Sequence, residues 1–297
     1  EALHLSIEEG SVFGFIGRNG AGKTTTMRIL TTLLKPSSGQ AWVAGHSVTK
    51  EPQQVRRAIG YMPDFFGVYE DMKVWEYLDF FAACYNVPSA LRPQMIDDLL
   101  ALVDLGHKRG DFVESLSRGM KQRLCLARTL AHDPQILILD EPASGLDPRA
   151  RIEMRELLRE LKRMGKTIFF SSHILSEVAD ICTSIGIIEA GQLVVAGDMA
   201  EMRRRLRAHR LIQIRVLGDL APLQGYLLTH EQVHTITSSD EVDLPSDTLR
   251  FDFNGSDADL AAMLGELVRR DIPVIGLHEE SGDLEDVFLH ATKGILN

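Results

Sequence analysis

Nothing restricts what this chain can fold into more than nine consecutive residues, "GRNGAGKTT", from Gly17 to Thr25. An apolar run, "SVFGFIG", leads into them and a helical segment through "MRILTTLL" follows, so the stretch predicts a strand, a tight loop and a helix. The spacing Gly17-x4-Gly22-Lys23-Thr24 fits the phosphate-loop pattern, in which glycines let successive backbone N–H groups close around phosphates. The helix behind the loop adds its positive end. Lys23 is expected to reach β- and γ-phosphates, and the Thr24 hydroxyl to take a place on Mg²⁺. Asn19, Gly20, Ala21 and Thr25 complete the expected nucleotide-binding set. The competing reading is a plain glycine-rich turn, against which the strand-to-helix context weighs.

A second segment, "SLSRGMKQR" (Ser115 to Arg123), places Ser-x-Gly at the threshold of an apolar stretch and resembles another helix N-terminus suited to a phosphate. Further on, "ILILDEP" is an apolar strand delivering two carboxylates at its end, where open α/β sheets bind ligands. Asp140 is expected to help hold Mg²⁺ and Glu141 to polarise an attacking water. Phosphoryl transfer needs mainly positioning and charge neutralisation, so one carboxylate for each task suffices. A bare Asp-Glu pair is more often a solvated strand end; the apolar run before it and the phosphate loop favour catalysis. His173 follows "TIFFSS" at another strand end. A lone histidine there is usually structural or exposed, but in this company a γ-phosphate contact is expected.

Strand-like and helical stretches alternate along the first two thirds: "GQAWVAG", "AIGYMP", helices over Val74 to Leu105 broken near Pro88 and Pro93, then "QILILDE", a helix from Arg149 to Arg163, "TIFFSS", a helix from Leu175 to Ile181, and "SIGIIEAGQLVVAG" as a hairpin. Such alternation predicts an α/β fold with a mostly parallel core sheet and a helical insertion. Beyond about Arg210 the order becomes β-α-β-β-α-β, a small α+β unit of ferredoxin-like type. Its second helix carries Leu260, Met263, Leu264, Leu267 and Val268 on one face, read as core. A last helix, "LEDVFLHAT", is expected to pack back onto the fold. The boundaries expected are a large domain over 1–208, with a helical subdomain at about 72–132, and an accessory domain over 209–297.

A net charge of −10 over 297 residues argues against a broad nucleic-acid footprint, which needs clustered Lys and Arg. The one cationic run, Arg203 to Arg210, reads as a solvated helix face. Cys84, Cys125 and Cys182 lie far apart without a C-x-x-C pair, so neither a disulfide framework nor a zinc site is indicated and a cytoplasmic setting is expected. No apolar run approaches the roughly 18 to 20 residues that cross a bilayer. A membrane role would then be peripheral. The chain starts inside the strand-like "LHLSI", so a preceding piece is expected.

At this point the motifs resemble, in order and spacing, those of the ATP-binding subunits of ABC transporters over roughly residues 1 to 200: the phosphate loop, a signature at Leu116, Ser117, Arg118, Gly119 and Met120, the carboxylates Asp140 and Glu141, the "SGLD" loop from Ser144 to Asp147, and the switch histidine His173. The resemblance implies a P-loop NTPase fold of ABC type with ATP and Mg²⁺ at the site. It also implies a head-to-tail dimer with a second ATPase subunit, in which Ser117 and Gly119 contact the γ-phosphate of ATP held by the partner's phosphate loop. Ser144 and Asp147 belong to the dimer interface, and a transmembrane permease is the further partner; no nucleic-acid partner is implied. The unit beyond about residue 210 looks like the extension of ATPases that drive ABC-2 type exporters.

Two departures stand out. The family's LSGGQ is Leu116-Ser117-Arg118-Gly119-Met120 here, and the family glutamine that links the γ-phosphate side to the helical insertion is Asp64 in "YMPDFF". Asp64 is a candidate Mg²⁺ ligand that engages in a closed, metal-loaded state and passes that event to Phe65, Phe66 and Tyr69, a docking surface for the membrane partner; the alternative is a turn aspartate. The adenine-stacking aromatic falls outside this chain. A soluble ABC ATPase of DNA repair or translation is the rival from another class, and a nucleotide-binding regulator without turnover is a third reading.

Overall fold

The computed structural model describes residues 3–65, 67–174, 178, 180–201, 210–237 and 245–280. The chain divides into two compact units, residues 1–199 and 200–297.

In the first unit β1 (Val12–Ile16) is buried at every position, which its apolar sequence requires of a central strand covered on both faces. It leads to α1 (Lys23–Leu30), the short hairpin β2 (Trp42–Val43) and β3 (His46–Ser47), α2 (Pro52–Ala58) and β4 (Ile59–Met62). The helical insertion comprises α3 (Val74–Cys84), α4 (Arg92–Leu102) and α5 (Arg118–Thr129). Then follow β5 (Ile136–Leu139), α6 (Pro148–Arg163), β6 (Thr167–Ser172), β7 (Ser184–Glu189) and β8 (Gln192–Asp198). The six-stranded sheet has the order β4-β5-β6-β1-β7-β8. All its pairings are parallel except that of β7 with β8, the expected hairpin.

This order positions the site. β1, β5 and β6 are parallel neighbours in register, with Ile16 opposite Ser172 and Leu139 opposite Phe170, so the residues that follow each strand emerge along one edge of the sheet. Met62 at the end of β4 pairs with Leu139, which brings the Asp64 loop to the same edge. Phe169 beneath that edge packs at 5.8 Å from Phe13 and 5.4 Å from Phe15, ring centre to ring centre. Each such buried side chain contributes about 2 kcal/mol of apolar burial. Gly14 admits no side chain, because a Cβ there would lie 2.1 Å from Val178 Cγ1.

Within the insertion Arg128 on α5 stacks 4.8 Å over Phe81 of α3 and donates to the Tyr77 hydroxyl at 3.1 Å. The break between α3 and α4 falls at Pro88 as expected. Pro93 does not break a helix: it sits in the first turn of α4, where its missing N–H has no intrahelical partner to lose. Of the helix expected over Leu175 to Ile181, residues 175–177 and 179 lie outside the described set.

The second unit runs β9 (Arg210–Val216), α7 (Ala221–Leu227), β10 (Val233–Thr237), β11 (Thr248–Phe253), α8 (Asp257–Arg269) and β12 (Val274–Glu280). Its sheet order is β10-β11-β9-β12 with every pairing antiparallel, which is the ferredoxin-like arrangement. Alternation along β9 buries Ile212, Ile214 and Val216 with Phe251, Phe253, Leu223 and Leu227. On α8, Leu260, Met263 and Leu267 join this core, whereas Val268 is 61% exposed. Eight residues carry Val268 about 80° round the helix from Leu260, at the margin of the buried stripe. The final helix expected over 284–292 lies outside the described residues, as do 203–209 of the cationic run.

Candidate nucleotide site

The loop between β1 and α1 is shaped by its glycines. Gly20 and Gly22 adopt φ of 86° and 110°, which side-chain-bearing residues rarely reach. A Cβ at Gly17 would lie 2.4 Å from the Ile188 carbonyl oxygen. Gly22 is the N-cap of α1 and offers no side chain to the first-turn N–H groups. Asn19 and Thr25 are exposed, Thr24 is half-buried and Ala21 is buried.

Lys23 is 5% exposed and its Nζ donates to the Gly17 carbonyl at 2.6 Å, so the ammonium lies within the curl of the loop. It also pairs with Glu141 Oε1 at 3.2 Å. The other oxygen of Glu141 lies 2.8 Å from His173 Nδ1. One carboxylate thus joins the phosphate-loop lysine to the histidine that follows β6. Glu141 itself has φ of 50°, an uncommon conformation for a residue with a side chain, and its N–H donates to Ser171 Oγ at 2.9 Å.

Ser171 links the two acids, because its hydroxyl donates to Asp140 Oδ1 at 2.7 Å. Asp140 is 1% exposed, and its Oδ2 is buried without a hydrogen-bond partner. A buried, unsatisfied carboxylate oxygen is costly by itself and is the kind of hard donor that Mg²⁺ takes. Among the described residues no group of three or more His, Cys, Asp or Glu is arranged to hold a metal. Mg²⁺ typically uses one or two protein oxygens, completing its shell with phosphates and water, so Asp140 and the Thr24 hydroxyl fit that ion.

Asp64 follows β4 and has an exposed side chain, yet its carboxyl is held above its ordinary value, first by partial desolvation and then by the charges of Asp140 and Glu141; Arg118 and Lys23 oppose the shift. Three carboxylates therefore share one neighbourhood with two cations. Phe65, next to Asp64, is 91% exposed, and Phe66 lies outside the described residues. Tyr69 meets Phe80 edge-on at 5.5 Å.

The signature residues occupy the start of α5. Ser117 is the N-cap, its hydroxyl accepting from the Met120 N–H at 3.3 Å, and Leu116 beside it is buried. Asp147 plays the same part for α6, accepting from the Ala150 N–H at 3.0 Å. Gly119 permits the two helix starts to approach, since a Cβ there would lie 3.1 Å from Ala150 Cβ. Arg118 Nη2 donates to the Ser144 carbonyl at 3.3 Å. Buried Gln122, on the next turn of α5, donates to the Pro142 carbonyl at 2.5 Å and so ties the signature helix to the segment after Glu141.

Sequence reasoning missed Ser171 and Gln122. The period of two along β6 offered a signal for Ser171, which shares a side of the strand with the residue two ahead, His173. Gln122 carried none, because its partner is a main-chain carbonyl.

A phosphate loop between a buried parallel strand and a helix, with acids at the ends of neighbouring strands, defines a P-loop nucleotide-binding protein. The ABC transporter family model matches residues 1–144. The chain is 40% identical over 200 residues to an uncharacterised ABC transporter ATP-binding protein of Nostoc sp., a match covering 67% of this chain and 59% of that longer protein. It is 33% identical over 290 residues to the Nod factor export ATP-binding protein I of Cupriavidus metallidurans, covering 98% of this chain and 91% of the relative. A solved structure described as the ATP binding subunit of an ABC transporter superposes with a TM-score of 0.62 at 30% identity, covering 70% of this chain and 86% of that one. The chain belongs to the ABC transporter ATP-binding proteins.

Proposed function

We propose that this chain is a Mg²⁺-dependent ATPase subunit that pairs head-to-tail with a second ATPase subunit and drives export through a separate transmembrane permease. The observation that carries the reading is the convergence of Lys23, Glu141 and His173 beside a buried, unsatisfied Asp140 oxygen. In it, Gly17, Asn19, Gly20, Ala21, Gly22, Lys23, Thr24 and Thr25 bind the nucleotide phosphates. Asp140 and Thr24 hold Mg²⁺, with Asp64 as the further candidate, and the ion neutralises phosphate charge. Glu141 orients and polarises the attacking water, while His173 holds Glu141 from the other side and reaches the γ-phosphate. A phosphate that takes Lys23 Nζ competes with Glu141 for it, so substrate binding frees the carboxylate for the water.

The exposed start of α5 supports the pairing, for Ser117 and Gly119 are placed to meet ATP held by a second subunit, with Ser144 and Asp147 at the interface. The export relative motivates the permease, which would hold the chain at the inner face of the cell membrane. Among the described residues no helix is long and apolar enough to cross a membrane. Phe65 and the Tyr69–Phe80 pair are the surface read as the permease dock.

The test is the concentration dependence of turnover. ATP hydrolysis that requires Ser117 from another molecule is second order in protein at low concentration. Constant turnover per molecule on dilution through the dissociation range counts against the pairing. Residues beyond about 208 are read as an accessory domain, so a chain ending there is expected to melt cooperatively and bind ATP; loss of its cooperative melting would place the boundary elsewhere.

A further inference from the structure

Arg118 stands where the family pattern has a glycine, and its side chain is engaged within its own subunit. A Cβ built on Gly145 would lie 2.3 Å from Arg118 Nη2, 2.5 Å from Cζ and 2.9 Å from Nη1, so the flat guanidinium covers the Gly145 α-carbon. Gly145 has φ of 66°, which reserves the position for glycine a second time. Nη2 donates to the carbonyl of Ser144 at 3.3 Å. Beside this contact the first turns of α5 and α6 already touch, for a Cβ on Gly119 would lie 3.1 Å from Ala150 Cβ and 3.7 Å from Leu146 Cδ2.

We propose that Arg118 is a positioning residue acting in cis: lying on Gly145 and holding the Ser144 carbonyl, it makes the start of α5 and the Ser144–Asp147 loop one body. Ser117 and Asp147 are the N-caps of the two helices so joined, and both are exposed. The inference rests on the head-to-tail reading above, in which a partner's nucleotide site meets both loops together. Their fixed spacing then sets how well that site closes. A flat, forked group is suited to this task, because it covers a backbone glycine and donates in a fixed direction, whereas a lysine offers a point charge on a flexible stem. The competing use of Arg118 is as a free cation reaching the partner's phosphate. In that case its contact with Ser144 and Gly145 carries no work.

Hydrogen–deuterium exchange of the full chain without added nucleotide tests the cis contact where no partner is required. The N–H groups of Ser144 and Leu146 are bonded to Glu141 and Ala143 carbonyls, so loosening of the loop is read directly. Arg118→Ala is expected to raise exchange in the segment 144–147 about fivefold, the factor equivalent to one net hydrogen bond, while the melting temperature stays put. In steady-state assays the same variant lowers kcat with KM for ATP unchanged, because the phosphate loop of its own subunit is intact. Arg118→Lys restores neither. Unchanged exchange in the Ala variant overturns the proposal, as does a Lys variant with full kcat but fast exchange, which assigns the work to charge alone. If turnover proves first order in protein, the pairing fails while the exchange result still decides the cis contact.

Discussion

The starts of α1 and α5 are both placed to meet a phosphate, yet they are built in opposite ways. α1 begins at a left-handed glycine with no side chain over its first turn, whereas α5 begins at a serine in extended conformation whose hydroxyl already holds the Met120 N–H. An uncapped helix start leaves several N–H groups to an incoming anion, and here it costs the chain three glycines that can scarcely be replaced. A capped start is stable without any ligand and keeps one exposed hydroxyl that can also donate outward. The difference teaches that the α1 site is formed by the subunit itself, while the α5 site is a finished surface waiting for a group from outside.

The sharpest way to break the comparison is at the α1 site. Glu141→Gln is expected to keep ATP binding while hydrolysis falls about 10²- to 10⁴-fold, since the amide retains the bonds to Lys23 and His173 but polarises water poorly. A parental rate in rapid-quench assays removes Glu141 from that role. Lys23→Ala should weaken ATP binding itself by about 100-fold, the scale of losing a charge-assisted contact, as read by titration calorimetry. At the α5 site the two sides of Ser117 separate by substitution. Ser117→Ala loses the cap, about 1 kcal/mol, and the melting temperature falls by about 2–4 °C. Ser117→Asp keeps the cap and the melting temperature but sets an anion against the partner's phosphate, so ATP no longer drives pairing. Normal ATP-dependent dimers from the Asp variant, seen by light scattering, would show that α5 meets no phosphate.

The smallest effect belongs to Asp64. A carboxyl raised above its ordinary 3.8 is a carboxylate the fold disfavours, so stability is present at low pH and is lost as pH rises through the raised value. Asp64→Asn should therefore raise the melting temperature slightly at pH 7 and progressively less as pH is lowered toward 4. In the same variant the Mg²⁺ concentration for half-maximal hydrolysis rises. A pH-independent change in melting temperature with unaltered Mg²⁺ dependence marks Asp64 as a turn residue.

What could be read from the sequence follows from how local each cause is. The phosphate loop was legible because its glycines, lysine and threonine lie within nine residues and act through local backbone shape. The second unit was legible as six alternating elements, and its antiparallel order agrees with the expected type. The pairing of Lys23 with Glu141 was not, since it depends on β5, β6 and β1 lying side by side across more than a hundred residues of chain. Glu141 in a left-handed conformation and Arg118 lying on Gly145 are likewise products of packing that no spacing announces. Pro93 and Val268 show the finer error: each was assigned to the right helix and to the wrong part of it.

The order β10-β11-β9-β12 has a mechanical consequence. β9 is an inner strand, and its first residue, Arg210, holds Glu279 on β12 through two bonds of 2.8 and 2.6 Å and Asp257 at the start of α8 at 3.0 Å. Tension applied through the residues before Arg210 runs along β9 and loads the ladders to β11 and β12 together, lengthwise. Strands pulled lengthwise resist as a set, whereas an edge strand peels one bond at a time. A chain that enters through an inner strand can therefore carry a tug on its tether without unravelling from that end.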